Sequence, residues 1–123
     1  MNTQVERYLA AADGMLGGRD RAGASAVDGG WWPKACACLI RLALETALDE
    51  FWRRTAPEVA AYGSGRTKLL LLRRRRDRAL AREAAYAWST LSRATHHHCY
   101  ETAPTHAELR RLHDAVTVLV GGL

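Results

Sequence analysis

Apolar residues return every three or four positions along most of this chain and nowhere alternate with polar ones. That period commits it to helices packed on helices. Val5, Tyr8, Leu9, Ala12, Met15 and Leu16 predict a first helix from about Thr3 to Leu16, stopped by Gly17 and Gly18. Residues 17–30, GGRDRAGASAVDGG, hold five glycines and read as a flexible loop. A second helix opens at Trp31-Trp32-Pro33, where a proline near the first position costs no hydrogen bond. Cys36, Ile40, Ala43, Leu44, Ala47 and Phe51 form its apolar stripe. Arg41, Glu45 and Asp49 step by four along the opposite side as a self-paired polar face.

Thr55 to Glu58 has the form of a capping box around Pro57, starting a short turn of helix that Gly63 ends. From Arg66 to Ala103 there is neither Gly nor Pro. Leu69 to Leu72 suit a helix, but the apolar phase breaks at Arg73–Arg76, and Asp77 is placed to cap a new start. The reading is a short helix, a bend near Asp77, then a long helix to about Tyr100. A second capping box, Thr105 to Glu108, launches a last helix with the stripe Leu109, Leu112, Ala115, Val116, Leu119 and Val120. The expectation is an all-α protein: one domain over residues 1–123, an antiparallel bundle of four main helices with a short extra helix.

At 123 residues, 48% of them hydrophobic, the chain has the material for one packed core. No apolar run approaches the roughly 20 residues that span a bilayer. Glu6, Arg7 and Asp13 break the pattern of a secretion signal, so a cytoplasmic location without membrane association is expected. Cys36, Cys38 and Cys99 are odd in number and lack CxxC spacing, which suits reduced thiols packed as small apolar groups. The net charge is +5, and 16 of the 18 basic residues are Arg. A basic surface of this kind fits a nucleic-acid partner.

The candidate chemistry lies in Leu91-Ser92-Arg93-Ala94-Thr95-His96-His97-His98-Cys99-Tyr100. Cleaving RNA requires a donor fork for the charge developing on phosphorus, which arginine supplies without losing its proton. It also requires a group that trades protons near neutral pH, and histidine does this best. Arg93 and His98, an arginine followed by four residues and a histidine on the penultimate helix of a short helical chain, resemble the R-x4-6-H signature of the HEPN superfamily. The resemblance implies a compact helical bundle, commonly a homodimer, that cleaves RNA without a metal or other cofactor at a cleft between two motifs. It assigns the scissile phosphate to Arg93, and proton transfer at the ribose 2′-hydroxyl and leaving oxygen to His98. Such domains serve as toxins or defence effectors controlled by a regulatory partner protein. The chain departs from the family at Ala94, a position often polar there.

Helical geometry qualifies the choice of histidine. At about 100° per residue, His98 falls in line with Leu80, Ala84 and Leu91, and Arg93 points about 140° away. His97, four residues beyond Arg93, is its easier partner in an undistorted helix. His98 on the core stripe also suits a buried, hydrogen-bonded histidine. In a metal reading at most two of His96, His97, His98 and Cys99 share an ion, because consecutive helical residues diverge by about 100°, with His106 and His113 of the last helix as further candidate ligands. Arg73, Arg74, Arg75, Arg76, Arg78 and Arg82 are the candidate phosphate-binding group, with a solvated charged face as the plain alternative. The rival for the whole chain is a non-catalytic helical module that binds a partner protein or nucleic acid.

Overall fold

The structure, a computed structural model, describes residues 2–22, 31–96 and 104–123. Within them lie helices α1 (Thr3–Ala22), α2 (Trp31–Thr55), α3 (Pro57–Tyr62), α4 (Gly65–Leu72), α5 (Arg78–Thr95) and α6 (His106–Gly122), and no strand. α2 is the central element, packing against α1, α5 and α6 along its length and against α3 and α4 near its end. Its stripe widens to Cys36, Ala37, Ile40, Ala43, Leu44, Ala47, Leu48, Phe51 and Trp52, all buried. A helix touched on several sides requires an apolar arc wider than one stripe.

The paired residues fix how the helices run. On α6, His106, Arg110 and His113 meet Leu16, Asp13 and Leu9 of α1 in reverse order. The ring Nε2 of His113 donates to the Leu9 carbonyl at 2.9 Å, and that of His106 to the Leu16 carbonyl at 3.1 Å. Both histidines therefore tie α6 to α1. Arg110, 2.7 Å from Asp13, holds that carboxyl below its ordinary range through a hydrogen bond. His113 is buried, a position that apolar periodicity passes over, whereas Ala115, expected in the core, is exposed.

Local chemistry explains most boundaries. The Asp77 carboxylate accepts from the Leu80 N–H at 2.7 Å and starts α5. Thr105 accepts from the Glu108 N–H at 3.1 Å and starts α6. Each cap stabilises its helix by about 1 kcal/mol. Three expectations are corrected. α1 does not stop at Leu16 but continues to Ala22. Glycine costs about 1 kcal/mol in a helix interior and does not break its hydrogen-bond ladder as proline does, so residues 17–22 of the expected loop are helical; residues 23–30 lie outside the described residues. The Thr55 box does not form, because Thr55 closes α2 and Ala56 precedes Pro57 without a side-chain cap. The short helix ended by Gly63 and the short helix before Asp77 both form, as α3 and α4, so the bundle carries two short helices rather than a single extra one. α5 is described as far as Thr95, with His96 as its C-cap.

Candidate functional site

Arg93 lies in the last turn of α5, its side chain exposed and without an ion-pair or hydrogen-bond partner among the described residues. A cation there is favoured by the partial negative charge of the helix end. Ala94 and Thr95 beside it are buried, so the backbone that carries Arg93 is anchored in the core. His97 and His98 lie outside the described residues. The register that aligned His97 with Arg93 is described only as far as Thr95.

Arg93 does not stand alone on its face. Arg78, Arg82, Tyr86 and Arg93 fall within about 80° of one another around α5, opposite the buried Ala84 and Leu91, and all four are exposed. Tyr86 is 68% exposed. Arg78 and Arg93 are roughly 22 Å apart along the axis, too far for one reaction centre but suited to one bound strand. Beside this row a groove of about 590 Å³ opens between α5 and α6, with Tyr86 and Thr90 on one wall and Glu108 and Arg111 on the other. Thr90 Oγ1 is enclosed there without a hydrogen-bond partner among the described residues.

The arginine run divides. Arg73, Arg74 and Arg75 are exposed in the turn after α4. Arg76 folds back instead: its Nε and Nη2 donate to the carbonyls of Gly122 and Leu123 at 3.3 and 3.1 Å. Its guanidinium also lies 4.8 Å from the centre of the Phe51 ring. Arg76 thus closes the α4–α5 corner onto the end of α6.

A second polar cluster joins α2 to the end of α5. Arg41 donates from Nε to Glu45 at 2.9 Å and from Nη1 to Thr95 Oγ1 at 2.7 Å. The same Nη1 lies 3.2 Å from His96 Nε2. Since a guanidinium only donates, His96 Nε2 is the acceptor in this contact. Glu45 also receives the Trp88 indole N–H at 3.2 Å, while Asp49 turns to Lys68 of α4 at 2.6 Å. The stepped row Arg41, Glu45 and Asp49 therefore faces α4 and α5 rather than pairing only with itself. Periodicity shows that these residues share a helix face, but not that another helix covers it.

His106 and His113 are engaged with α1 carbonyls through Nε2, and no group of three metal-ligating side chains occurs among the described residues. Cys36 is buried, and desolvation pushes its thiol up to about 11; Cys38 is exposed, and Cys99 lies outside the described residues. No helix among the described residues is long and apolar enough to cross a membrane. No family model, curated protein or solved structure matches this chain.

Proposed function

We propose that this chain is a metal-independent, RNA-cleaving helical domain of the HEPN type. In this reading the long helices form an antiparallel bundle that acts as a homodimer. Arg93 holds the scissile phosphate, and His98 or His97 moves protons between the ribose 2′-hydroxyl and the leaving oxygen. The observation that carries the reading is the exposed row Arg78, Arg82, Tyr86 and Arg93 on the outer face of α5. Guanidinium groups on both sides of an aromatic ring suit a single strand: the arginines meet phosphates, and the ring stacks a base for about 1–3 kcal/mol. Arg73, Arg74 and Arg75 extend the positive track beyond the start of α5. In the dimer the C-terminal ends of α5 from two copies meet, so that two Arg93 side chains share one cleft and the rest of the row stays open to the strand. The resemblance that suggests cleavage also suggests a toxin or defence role, held in check by a partner protein.

The test is cleavage of single-stranded RNA by the purified chain in EDTA. Arg93→Ala abolishes cleavage, because no other residue of the motif supplies a bidentate phosphate clamp. His98→Ala does the same and His96→Ala does not, with circular dichroism confirming the helices in each variant. Cleavage that survives in folded Arg93→Ala refutes the assignment. One observation favours a second reading, a non-catalytic module that binds a partner protein: an apolar groove rimmed by arginines between α4 and α5. A folded wild-type chain inactive on varied RNAs selects it.

A further inference from the structure

Between α4 and α5 lies a groove of about 460 Å³. Its floor is aliphatic, formed by Leu69 and Leu70 of α4 and Ala81 and Ala85 of α5. Leu69 and Ala81 are buried, but Leu70 is 58% exposed, a leucine that this chain leaves in water. Arg73, Arg78 and Arg82 line the same groove, all exposed and without an ion-pair partner among the described residues. No acidic side chain lines it. The single acid between Val59 and Arg82 is Asp77, whose carboxylate is occupied in capping α5.

The groove is preformed. Lys68 pairs with Asp49 at 2.6 Å, and its carbonyl accepts the indole N–H of the buried Trp52 at 3.2 Å, so α4 is bound to α2 at the turn that presents Leu69 and Leu70. At its other end Arg76 holds the corner to α6. An apolar channel between two fixed helices, with cations on its rim, matches one kind of occupant in both shape and charge.

We propose that this groove docks an acidic amphipathic helix of a partner protein. The partner's apolar side chains lie on Leu70, Ala81 and Ala85, and its carboxylates meet Arg73, Arg78 and Arg82. Helix-in-groove recognition uses this division between an apolar floor and a charged rim. RNA fits the groove less well, because its floor has no aromatic ring on which a base can stack. A membrane fits less well too, because one exposed leucine beside small alanines offers little apolar surface to insert into a lipid layer. Docking at this groove is independent of RNA cleavage at Arg93. Since Arg78 and Arg82 belong to both surfaces, a docked acidic helix also weakens RNA binding along α5.

The experiment uses the full chain and a short synthetic fluorescent peptide with leucines at helical spacing on one face and glutamates flanking them. Its glutamine counterpart and a labelled oligouridylate serve as comparisons. Fluorescence anisotropy shows saturable binding of the acidic peptide, weakened roughly tenfold or more, about 1.4 kcal/mol, by Leu70→Glu and by Arg73→Glu with Arg78→Glu. These are surface positions, so the variants keep the helical spectrum. Amide shifts caused by the peptide cluster in α4 and the first turns of α5. Binding untouched by Leu70→Glu, equal binding of the glutamine peptide, or no saturable binding overturns the proposal. Oligouridylate shifting the α4 amides while the peptide does not reassigns the groove to nucleic acid.

Discussion

Arg41 Nη1 and Thr95 Oγ1 lie 2.7 Å apart, joining α2 to the last turn of α5 across 54 residues of sequence. The Thr95 hydroxyl donates to the Ser92 carbonyl at 3.0 Å, which leaves its lone pair for Arg41. The anchor matters because the turn it holds carries Arg93. Arg41→Leu should destabilise the chain by about 1–3 kcal/mol, since Glu45 loses its charged partner, and Thr95→Val by about 1 kcal/mol. Urea unfolding of the two single variants and the double should give less than the sum of the separate losses. Simple additivity would show that the two side chains do not act together.

Arg76 and Arg74, two residues apart, differ in their stability roles. Arg76→Ala removes hydrogen bonds to the carbonyls of Gly122 and Leu123 and the contact with Phe51, and should cost about 1–2 kcal/mol. Arg74→Ala should stay within about 0.5 kcal/mol, as expected for an exposed side chain. Thermal melts of the two variants compare them directly, and equal melting temperatures would count against the Arg76 staple.

Burial of Cys36 makes two outcomes measurable. With its thiol pushed up to about 11, only about 0.1% is thiolate at pH 8, so iodoacetamide should label Cys38 and spare Cys36 in the folded chain, read by peptide mass spectrometry. The stability effect has a definite sign. Above the unfolded thiol's ordinary value, near 9.0, the unfolded chain has released a proton that the native chain keeps. The unfolded state then binds fewer protons, and stability falls as pH rises from that value towards 11. Cys36→Ala should remove this part of the alkaline slope in urea titrations. An unchanged slope would show that other groups account for it.

Two glycines in one corner should respond differently to alanine. A Cβ on Gly63 would meet the Val59 carbonyl oxygen at 2.6 Å, a backbone atom that also accepts the Gly63 N–H at 2.8 Å. Gly63→Ala therefore requires the α3–α4 corner to shift and should cost about 1–3 kcal/mol. At Gly65 the nearest atom is in the Trp88 ring at 3.4 Å, and Gly65→Ala, inside a helix, should be neutral or stabilising. Chemical denaturation distinguishes them, and a tolerated Gly63→Ala would contradict the close approach.

The class of fold and most helix starts were legible in the sequence, because helices and their caps are local. The side chains of Asp77 and Thr105 bond to amides three residues on, and such a contact is written in spacing alone. The stripe of α2 was legible for the same reason. The end of α1 was misread, since glycine only weakens a helix and neighbouring contacts decide whether it continues. The candidate arginine Arg93 came from a sequence motif, and its exposure came from the structure. What surrounds the end of α5 was not legible. Arg41 and Thr95, Glu45 and Trp88, and Asp49 and Lys68 meet only because α2 lies against α4 and α5. The same holds for His113, a polar residue drawn into the core by a carbonyl of α1, and for Arg76, the one arginine of its run bound back onto α6. Periodicity specifies which face of a helix turns inward. Which helix arrives there, and with what polar atoms, is a long-range packing outcome that only the tertiary structure decides.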